Sequence, residues 1–386
     1  MKILRGKAAL ISAVFSFLMI GWCGGTAVAL ASEVTIQTGF NYEWLDSGKD
    51  TDARQFSIPI RMDARLGDFV LGALTAYSST TIKPEGEDNR TLSTILDTKI
   101  MSSYEIIGKM PVDVIIGVDL NLPTGKTNLT ARQLGFVLDS DLIGINNFGE
   151  GFNVNPTLTV AKEWEGGAAG VGVGYLFRGE YDYSSELGMD DYDPGDVANV
   201  ALELHQEFSE HAFGRLFGSY LWFGEDKAGG RKIYQEGVVP IAGLGLGYKG
   251  EKWNGAITAR GIFRDSSKYP DASGALRTED KNSHGTEWIA DLSMKYRIDD
   301  KTTLSGLLRG LMLSENDYAE GDARYIGKVN KVSLGLQLGR ILSETFDAAV
   351  IVKGFFMHAD EANFPEHREA QDYKGASGGI QLTARF

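Results

Sequence analysis

The sequence is poor in cysteine, proline and long apolar runs, and each shortage excludes a class of structure or site. Its single cysteine, Cys23, lies near the N-terminus. The rest of the chain therefore has no disulfide, thiolate metal site or cysteine nucleophile. Beyond the N-terminal region, no apolar run reaches the roughly 18 residues that a membrane-spanning helix needs. Only nine prolines interrupt a chain that is rich in glycine and aromatic residues, which is typical of an exported sheet protein.

Positive charge is scarce as well. The formal net charge is −14, and it becomes −17 once the three basic residues of the N-terminal region are removed. Nucleic-acid-binding proteins usually carry an excess of basic residues that contact the phosphate groups, and this chain is acidic, so we expect no nucleic-acid partner.

The N-terminal region has the pattern of a secretory signal peptide. It opens with three basic side chains, Lys2, Arg5 and Lys7. An apolar run over 8–22 follows, and 29–31 reads Ala-Leu-Ala, the small-x-small form of a cleavage site. A retained anchor is the alternative, but the apolar run is short for one, and the bulky residue before Cys23 argues against lipidation. We predict a signal peptide over 1–31 and a single barrel domain over 32–386.

Downstream of this leader, apolar and polar residues alternate with the two-residue period of a strand. Between Asp113 and Asn121, for example, all but one of the odd-numbered residues are polar or glycine and every even-numbered one is apolar. The alternating segments run about ten residues or more, enough to cross a bilayer at a tilt, whereas strands of soluble proteins average about five or six. We count about 16 strands, near 33–45, 54–65, 68–80, 91–107, 111–122, 151–165, 167–181, 197–209, 211–224, 236–249, 251–265, 284–298, 301–315, 327–341, 345–358 and 372–386.

The connections between these segments alternate in length. The short ones fall at 66–67, 108–110, 166, 210, 250, 299–300 and 342–344. The long ones fall at 46–53, 81–90, 123–150, 182–196, 225–235, 266–283, 316–326 and 359–371. Transmembrane barrels have this asymmetry, with tight periplasmic turns and longer external loops. We therefore predict an all-β fold, an antiparallel transmembrane β-barrel in the bacterial outer membrane. A secreted soluble β-protein is the alternative on composition.

The C-terminal strand, 378–386, resembles the closing signal of bacterial outer-membrane proteins, because it alternates apolar residues and ends in phenylalanine. That resemblance implies recognition of Phe386 by the barrel-assembly machinery. The barrel itself would contact outer-membrane lipid and lipopolysaccharide. The first strand begins about two residues into the mature chain, which leaves no room for an N-terminal plug.

Two short motifs resemble a named family. Leu122-Pro123-Thr124-Gly125 ends a strand of the form Gly-x-x-Leu-x-Leu-Pro-Thr-Gly, and Pro194-Gly195-Asp196 opens a later strand. Both resemble the outer-membrane channel family that is associated with the meta-pathway of phenol degradation, and the resemblance spans about residues 112–225. The resemblance implies a barrel that takes up aromatic or other apolar compounds, and it assigns no residue a ligand role.

Charged strand residues are assigned to the lumen, because each would cost about 2–4 kcal/mol on the lipid face near mid-membrane. Asp113 and Asp119 make one wall acidic, and the loop 123–150 adds Asp139, Asp141 and Glu150. A basic series lies further round the barrel: Arg178, Arg215, Arg260, Arg264, Lys295, Arg309 and Lys353.

The loop 123–150 is the longest connection and the third long one, so we expect it to fold inward and narrow the pore. Its acids and those of the adjacent wall would then face the basic series, an arrangement that resembles the constriction of general porins. A basic series that only solvates a polar lumen, without any constriction, is the alternative.

Enzyme motifs are missing from the sequence. There is no Gly-x-Ser-x-Gly, no His-Glu-x-x-His and no phosphate-binding loop. His205 lies between Glu203 and Glu207 on one face, where it could bind a metal or act as a base, but a solvated lumen patch explains it as well. The acidic run 189–196 could bind Ca²⁺, yet it lacks regular ligand spacing and reads better as an external loop. We expect no catalytic residue, no metal site and no cofactor.

The sequence thus predicts an outer-membrane porin that passes small hydrophilic solutes or ions by diffusion. A channel for hydrophobic or aromatic compounds is the first alternative. A barrel that serves as a sleeve for a partner protein, such as a cytochrome, is the second. A homotrimer is expected only by analogy with porins.

Overall fold

The computed structural model describes residues 33–48, 51–84, 86 and 88–386, and these form a closed antiparallel barrel. The predicted leader, 1–31, lies outside the described residues. The barrel strands are β1 Glu33–Asp46, β2 Thr51–Leu66, β3 Phe69–Pro84, β4 in two pieces (Arg90–Ile95 and Thr98–Ile106), β5 Asp113–Leu122, β6 Asn153–Trp164, β7 Gly167–Arg178, β8 Val197–Glu207, β9 Ala212–Phe223, β10 Val239–Lys249, β11 Trp253–Ile262, β12 Glu287–Arg297, β13 Thr302–Leu313, β14 Val329–Ile341, β15 Phe346–Ala359 and β16 Gln371–Arg385.

Each strand pairs with its neighbours in sequence, and the first strand pairs with the last. Of the 17 segments in the sheet, two are pieces of β4, so the described residues contain sixteen barrel strands. The β1–β16 pairing runs from Thr35 opposite Arg385 to Asp46 opposite Lys374. Closure leaves the sheet without a free edge. The predicted fold class and strand number are confirmed.

The two faces of the wall differ as the alternation predicted. Large apolar side chains point outward and are exposed there, for example Leu202 at 56% and Val332 at 58%. Aromatic residues lie near both ends of this outer face, with Trp44 and Trp222 toward the long loops and Trp253 toward the short turns. An apolar band between two aromatic girdles is the surface that a bilayer requires. The described residues contain no helix of the length and apolarity needed to span a membrane.

The long connections at one end of the barrel carry more structure than the sequence predicted. The connections 225–235 and 266–283 were expected to be loops, and that expectation was wrong. They contribute to a small second sheet made of Tyr192–Asp193, Glu225–Ala228, Arg231–Gln235, Lys268–Pro270 and Leu276–Thr278. These strands are too short to show a clear two-residue period, and the turn at Gly229 and Gly230, both at positive φ, lets 225–235 double back on itself.

Candidate pore and inward loop

The connection between β5 and β6 folds into the barrel. Its apolar side chains Leu129, Phe136, Ile143 and Phe148 are all at most 4% exposed. They pack against lumen-facing residues of six consecutive strands, β15, β16 and β1–β4: Leu45, Ala53, Ile82, Leu92, Met357, Ala359 and Tyr373. This loop core fills the outer part of the lumen next to β1–β4 and parts of β15 and β16.

The tip of the loop is also bonded to the wall. The amide N–H of Gly144 donates to Glu43 of β1 at 2.7 Å. Ile145 exchanges two backbone hydrogen bonds with the side chain of Gln55 on β2, at 2.9 and 2.7 Å. Lys331 of β14 donates to the carbonyl oxygen of Asp141. The tip is thus bonded to β1 and β2 on one side and to β14 on the other.

A cavity of about 2070 Å³ remains between the loop and the wall formed by β10–β16. The loop contributes Asp139 and Asp141 to its lining. The wall contributes many uncharged residues, and most of its charged side chains are cations, among them Arg260, Arg264, Lys295, Arg309, Lys331 and Lys353. Charged side chains of opposite sign therefore face one another across the open part of the lumen.

The wall cations form a staircase along the cavity. Arg260 and Lys331 lie at one register level, because they are joined through the pairs Arg260–Ile289, Ile289–Leu311 and Leu311–Lys331. Arg264 follows the end of β11. The other three descend toward the short-turn end, each at the next inward-facing level: Arg309, Lys353 and Lys295. A solute that moves along this wall stays close to a positive charge.

Ion pairing leaves this wall with excess positive charge. Its two carboxylates are occupied, since Glu287 pairs with Arg264 at 3.3 Å and Asp291 pairs with Arg309 at 2.6 Å. Among the wall cations in the described part of the chain, Arg260, Lys295 and Lys353 form no salt bridge, and Lys331 donates only to the backbone carbonyl oxygen of Asp141. Their fields therefore reach into the cavity rather than ending on a neighbouring acid.

Asp141 is poised to titrate near neutral pH. Burial raises the pKa of Asp141 to about 6, with a further increase from Asp139 and an opposing effect of Lys331. A carboxyl group with a raised pKa is neutral below that value and negative above it.

Lowering the pH from 7.5 to 5 should therefore remove one negative charge from the loop side of the cavity. We expect the preference for anions over cations to rise as the pH falls through about 6. Reversal potentials in a salt gradient measure this, and Asp141→Asn is the matched control, because it should abolish the acid-side change. A pH response that is unchanged in Asp141→Asn would assign the titration to another group.

The structure divides the predicted pore-lining residues into two groups. Six of them line the cavity: Asp139, Asp141, Arg260, Arg264, Lys295 and Arg309. The other five do not: Asp113, Asp119, Glu150, Arg178 and Arg215. The role of the first group in conduction stays a prediction.

The residues of the second group are held elsewhere. Asp113 accepts a hydrogen bond from the amide of Gly108 at a short turn, at 2.6 Å. Asp119 accepts one from Asn155, and Arg215 pairs with Glu203 at 2.7 Å. Glu150 and Arg178 line a separate cavity of about 90 Å³ between the loop and the wall. The acidic wall of β5 that was expected to face the basic wall is therefore absent from the lining of the main cavity, where the inward loop supplies Asp139 and Asp141 and the other acids come from β1, from β12 and from the connections at the long-loop end.

Sequence reasoning missed Lys331, Glu43 and Gln55. Lys331 belongs to an alternating segment in which Val332 and Leu334 face outward. The two-residue period that assigns the other cations to the lumen therefore assigns Lys331 to the lumen as well. Glu43 and Gln55 could not be found in this way, because their importance comes from a loop that is distant in sequence.

The two candidate ligand clusters are used structurally. Glu203 and Glu207, on either side of His205, pair with Arg215 and Lys249. In the acidic run, Asp193 pairs with Lys227, and Asp196 accepts hydrogen bonds from the backbone of β7 and from a tyrosine. Over the described ranges, no group of three or more His, Cys, Asp or Glu residues is placed to hold a metal ion.

No model of a known protein family matches the sequence, and no curated protein matches it. Solved structures resemble the barrel at low identity. OmpT, an outer membrane protein of Vibrio cholerae, has 10% identity and a TM-score of 0.45, over 94% of this chain and 100% of that chain. OccAB3 of Acinetobacter baumannii has 10% identity and a TM-score of 0.46, over 93% and 100%. OccK5 of Pseudomonas aeruginosa has 9% identity and a TM-score of 0.45, over 92% and 98%. These values transfer no solute and no residue role to this chain.

Proposed function

We propose that this chain is an outer-membrane porin through which small hydrophilic solutes diffuse passively. The observation that carries the proposal is the cavity of about 2070 Å³, lined by ionised side chains, inside a barrel whose outer face is apolar. A barrel of about 16 strands is wide enough to leave an aqueous channel. Charged walls keep such a channel hydrated, and the inward loop limits the size of what passes.

The charge distribution favours anions among the solutes that fit. The wall carboxylates Glu287 and Asp291 are paired, whereas Arg260, Lys295 and Lys353 face the cavity without a salt bridge in the described residues. Seven acidic side chains line the cavity, with Asp139 and Asp141 among them, and they reduce this positive field without cancelling it because nine basic side chains line the cavity too. The proposed channel is therefore weakly anion-selective.

The alternatives fit this lumen less well. An apolar solute on this path would have to displace water from charged groups, which is costly because the charges gain nothing in return. A partner protein threaded through the barrel would compete for space with the packed loop core around Phe136 and Phe148.

The proposed partners follow from the surface. The apolar belt would contact outer-membrane lipid, and its external rim would contact lipopolysaccharide. Phe386, which is 66% exposed at the end of the chain, would be the group read by the barrel-assembly machinery. Trimerisation remains an analogy with porins.

Swelling of proteoliposomes tests the solute class. We expect swelling in isotonic pentose, slower swelling in disaccharide, and little in a tetrasaccharide, because the loop narrows the path. Liposomes without protein control for leakage. Swelling that is absent for every sugar, together with protein-dependent uptake of an aromatic hydrocarbon, would favour the channel for apolar compounds.

A further inference from the structure

Strand β4 is interrupted at a point that faces the root of the inward loop. Ile95 lies opposite Tyr77 of β3, but Lys99 lies opposite Leu74, so β4 carries one extra residue between these pairs. Such a bulge re-aims side chains and leaves backbone groups without ladder partners. Here it turns Asp97 toward the lumen, where it is only 9% exposed.

Asp97 accepts three hydrogen bonds from both ends of the loop. One oxygen accepts from the amide of Gly125 at 2.8 Å. The other accepts from the amide of Glu150 and from the side chain of Asn121, each at 2.7 Å. A carboxylate that accepts several donors, two of them backbone amides, forms a strong and directional junction.

The Leu-Pro-Thr-Gly motif completes this junction. The hydroxyl of Thr124 accepts from the amide of Thr98 at 2.9 Å and donates to the carbonyl of Leu96 at 3.0 Å, so it satisfies both backbone groups that flank Asp97. Gly125 has no side chain, and a Cβ there would collide with the carbonyl oxygen of Phe148 and with Asp97. The motif is thus shaped to fit the bulge.

We propose that Asp97, Thr124 and Gly125 form a latch that fixes the loop inward and thereby sets the width of the pore. The latch closes the base of the loop, while Gln55 and Lys331 hold its tip. Asp97 and Thr124 are positioning residues, since neither lines the cavity. The link from loop position to permeation rests on the proposed function.

A thiol placed in the loop core reports on the latch without any transport measurement. Ile143 is 3% exposed, and the single native cysteine, Cys23, lies in the predicted leader, so Ile143→Cys supplies one buried reporter in the mature chain. Asp97→Asn keeps only one acceptor oxygen, and Thr124→Val removes the hydroxyl while keeping the shape. Losing a hydrogen bond to a charged group should make maleimide labelling at position 143 about tenfold faster in Asp97→Asn. Thr124→Val should also be faster than the parent.

Glu105→Gln is the matched control, because it removes a carboxylate from the same strand, where Glu105 pairs with Arg65 away from the loop. Its labelling should equal that of the parent. Gel mobility before and after heating shows that each variant forms a folded barrel. Unchanged labelling in folded Asp97→Asn and Thr124→Val would overturn the latch. Faster labelling in both variants would support the latch, even if neither variant conducts ions. A lack of conduction would count against the proposed porin function and not against the latch. In conducting protein, the same two variants should show a larger single-channel conductance.

Discussion

Replacing Arg260 with glutamine should shift the channel toward cations. Arg260 lines the cavity on the basic staircase and forms no salt bridge among the described residues, so its charge acts directly on passing ions. At about 8 Å in a water-like medium, one charge changes the energy of a monovalent ion by about 0.5 kcal/mol, with opposite signs for anions and cations. The permeability ratio should then change about fivefold.

Reversal potentials across a salt gradient measure that ratio. Lys252→Gln is the matched control, because it removes one positive charge at a short turn outside the cavity. Arg264→Gln should shift selectivity in the same direction, and it also leaves Glu287 without its partner. A reversal potential that Arg260→Gln leaves unchanged would mean that ions do not pass along this wall.

Replacing Phe136 with alanine should release the loop and widen the pore. Phe136 is 2% exposed and packs between the loop and the barrel wall. Truncating a buried phenylalanine costs about 3–5 kcal/mol, through lost burial and the cavity left behind. Only the loop core depends on this contact, because the strand ladders that hold the barrel do not involve Phe136. The loss should therefore appear as loop release rather than barrel unfolding.

Single-channel conductance and the size limit for sugars should both increase in Phe136→Ala. Phe208→Ala offers the same substitution at a side chain that is 66% exposed near a short turn, and it should leave both quantities unchanged. Gel mobility of the unheated protein shows whether Phe136→Ala forms a folded barrel. If the folded variant has the same conductance as the parent, the loop core does not limit the pore.

The barrel could be predicted from the sequence because its determinants are local. The two-residue period places each strand residue on one face, and the alternation of short and long connections fixes the order of turns and loops. The same period therefore assigns Arg260, Lys295 and Arg309 to the lumen. The bulge in β4 was not foreseen, because one extra residue in a long alternating segment leaves the pattern on each side intact.

The side of the lumen on which the pore lies could not be predicted. It depends on where Leu129, Phe136, Ile143 and Phe148 find partners, and those partners lie on strands at both ends of the chain. Packing of this kind joins residues that are far apart in sequence, so periodicity carries no information about it. This is why Asp113 and Asp119 were expected beside the pore, although the open cavity lies against β10–β16.

Single-channel recording of the unaltered protein in a planar bilayer tests the central claim most directly, namely that the charged cavity beside the inward loop is a conducting pore. The account predicts discrete, ohmic conductance steps with a weak preference for anions at pH 7.5, and a stronger preference at pH 5. Folded protein that inserts into the bilayer and stays electrically silent would contradict it.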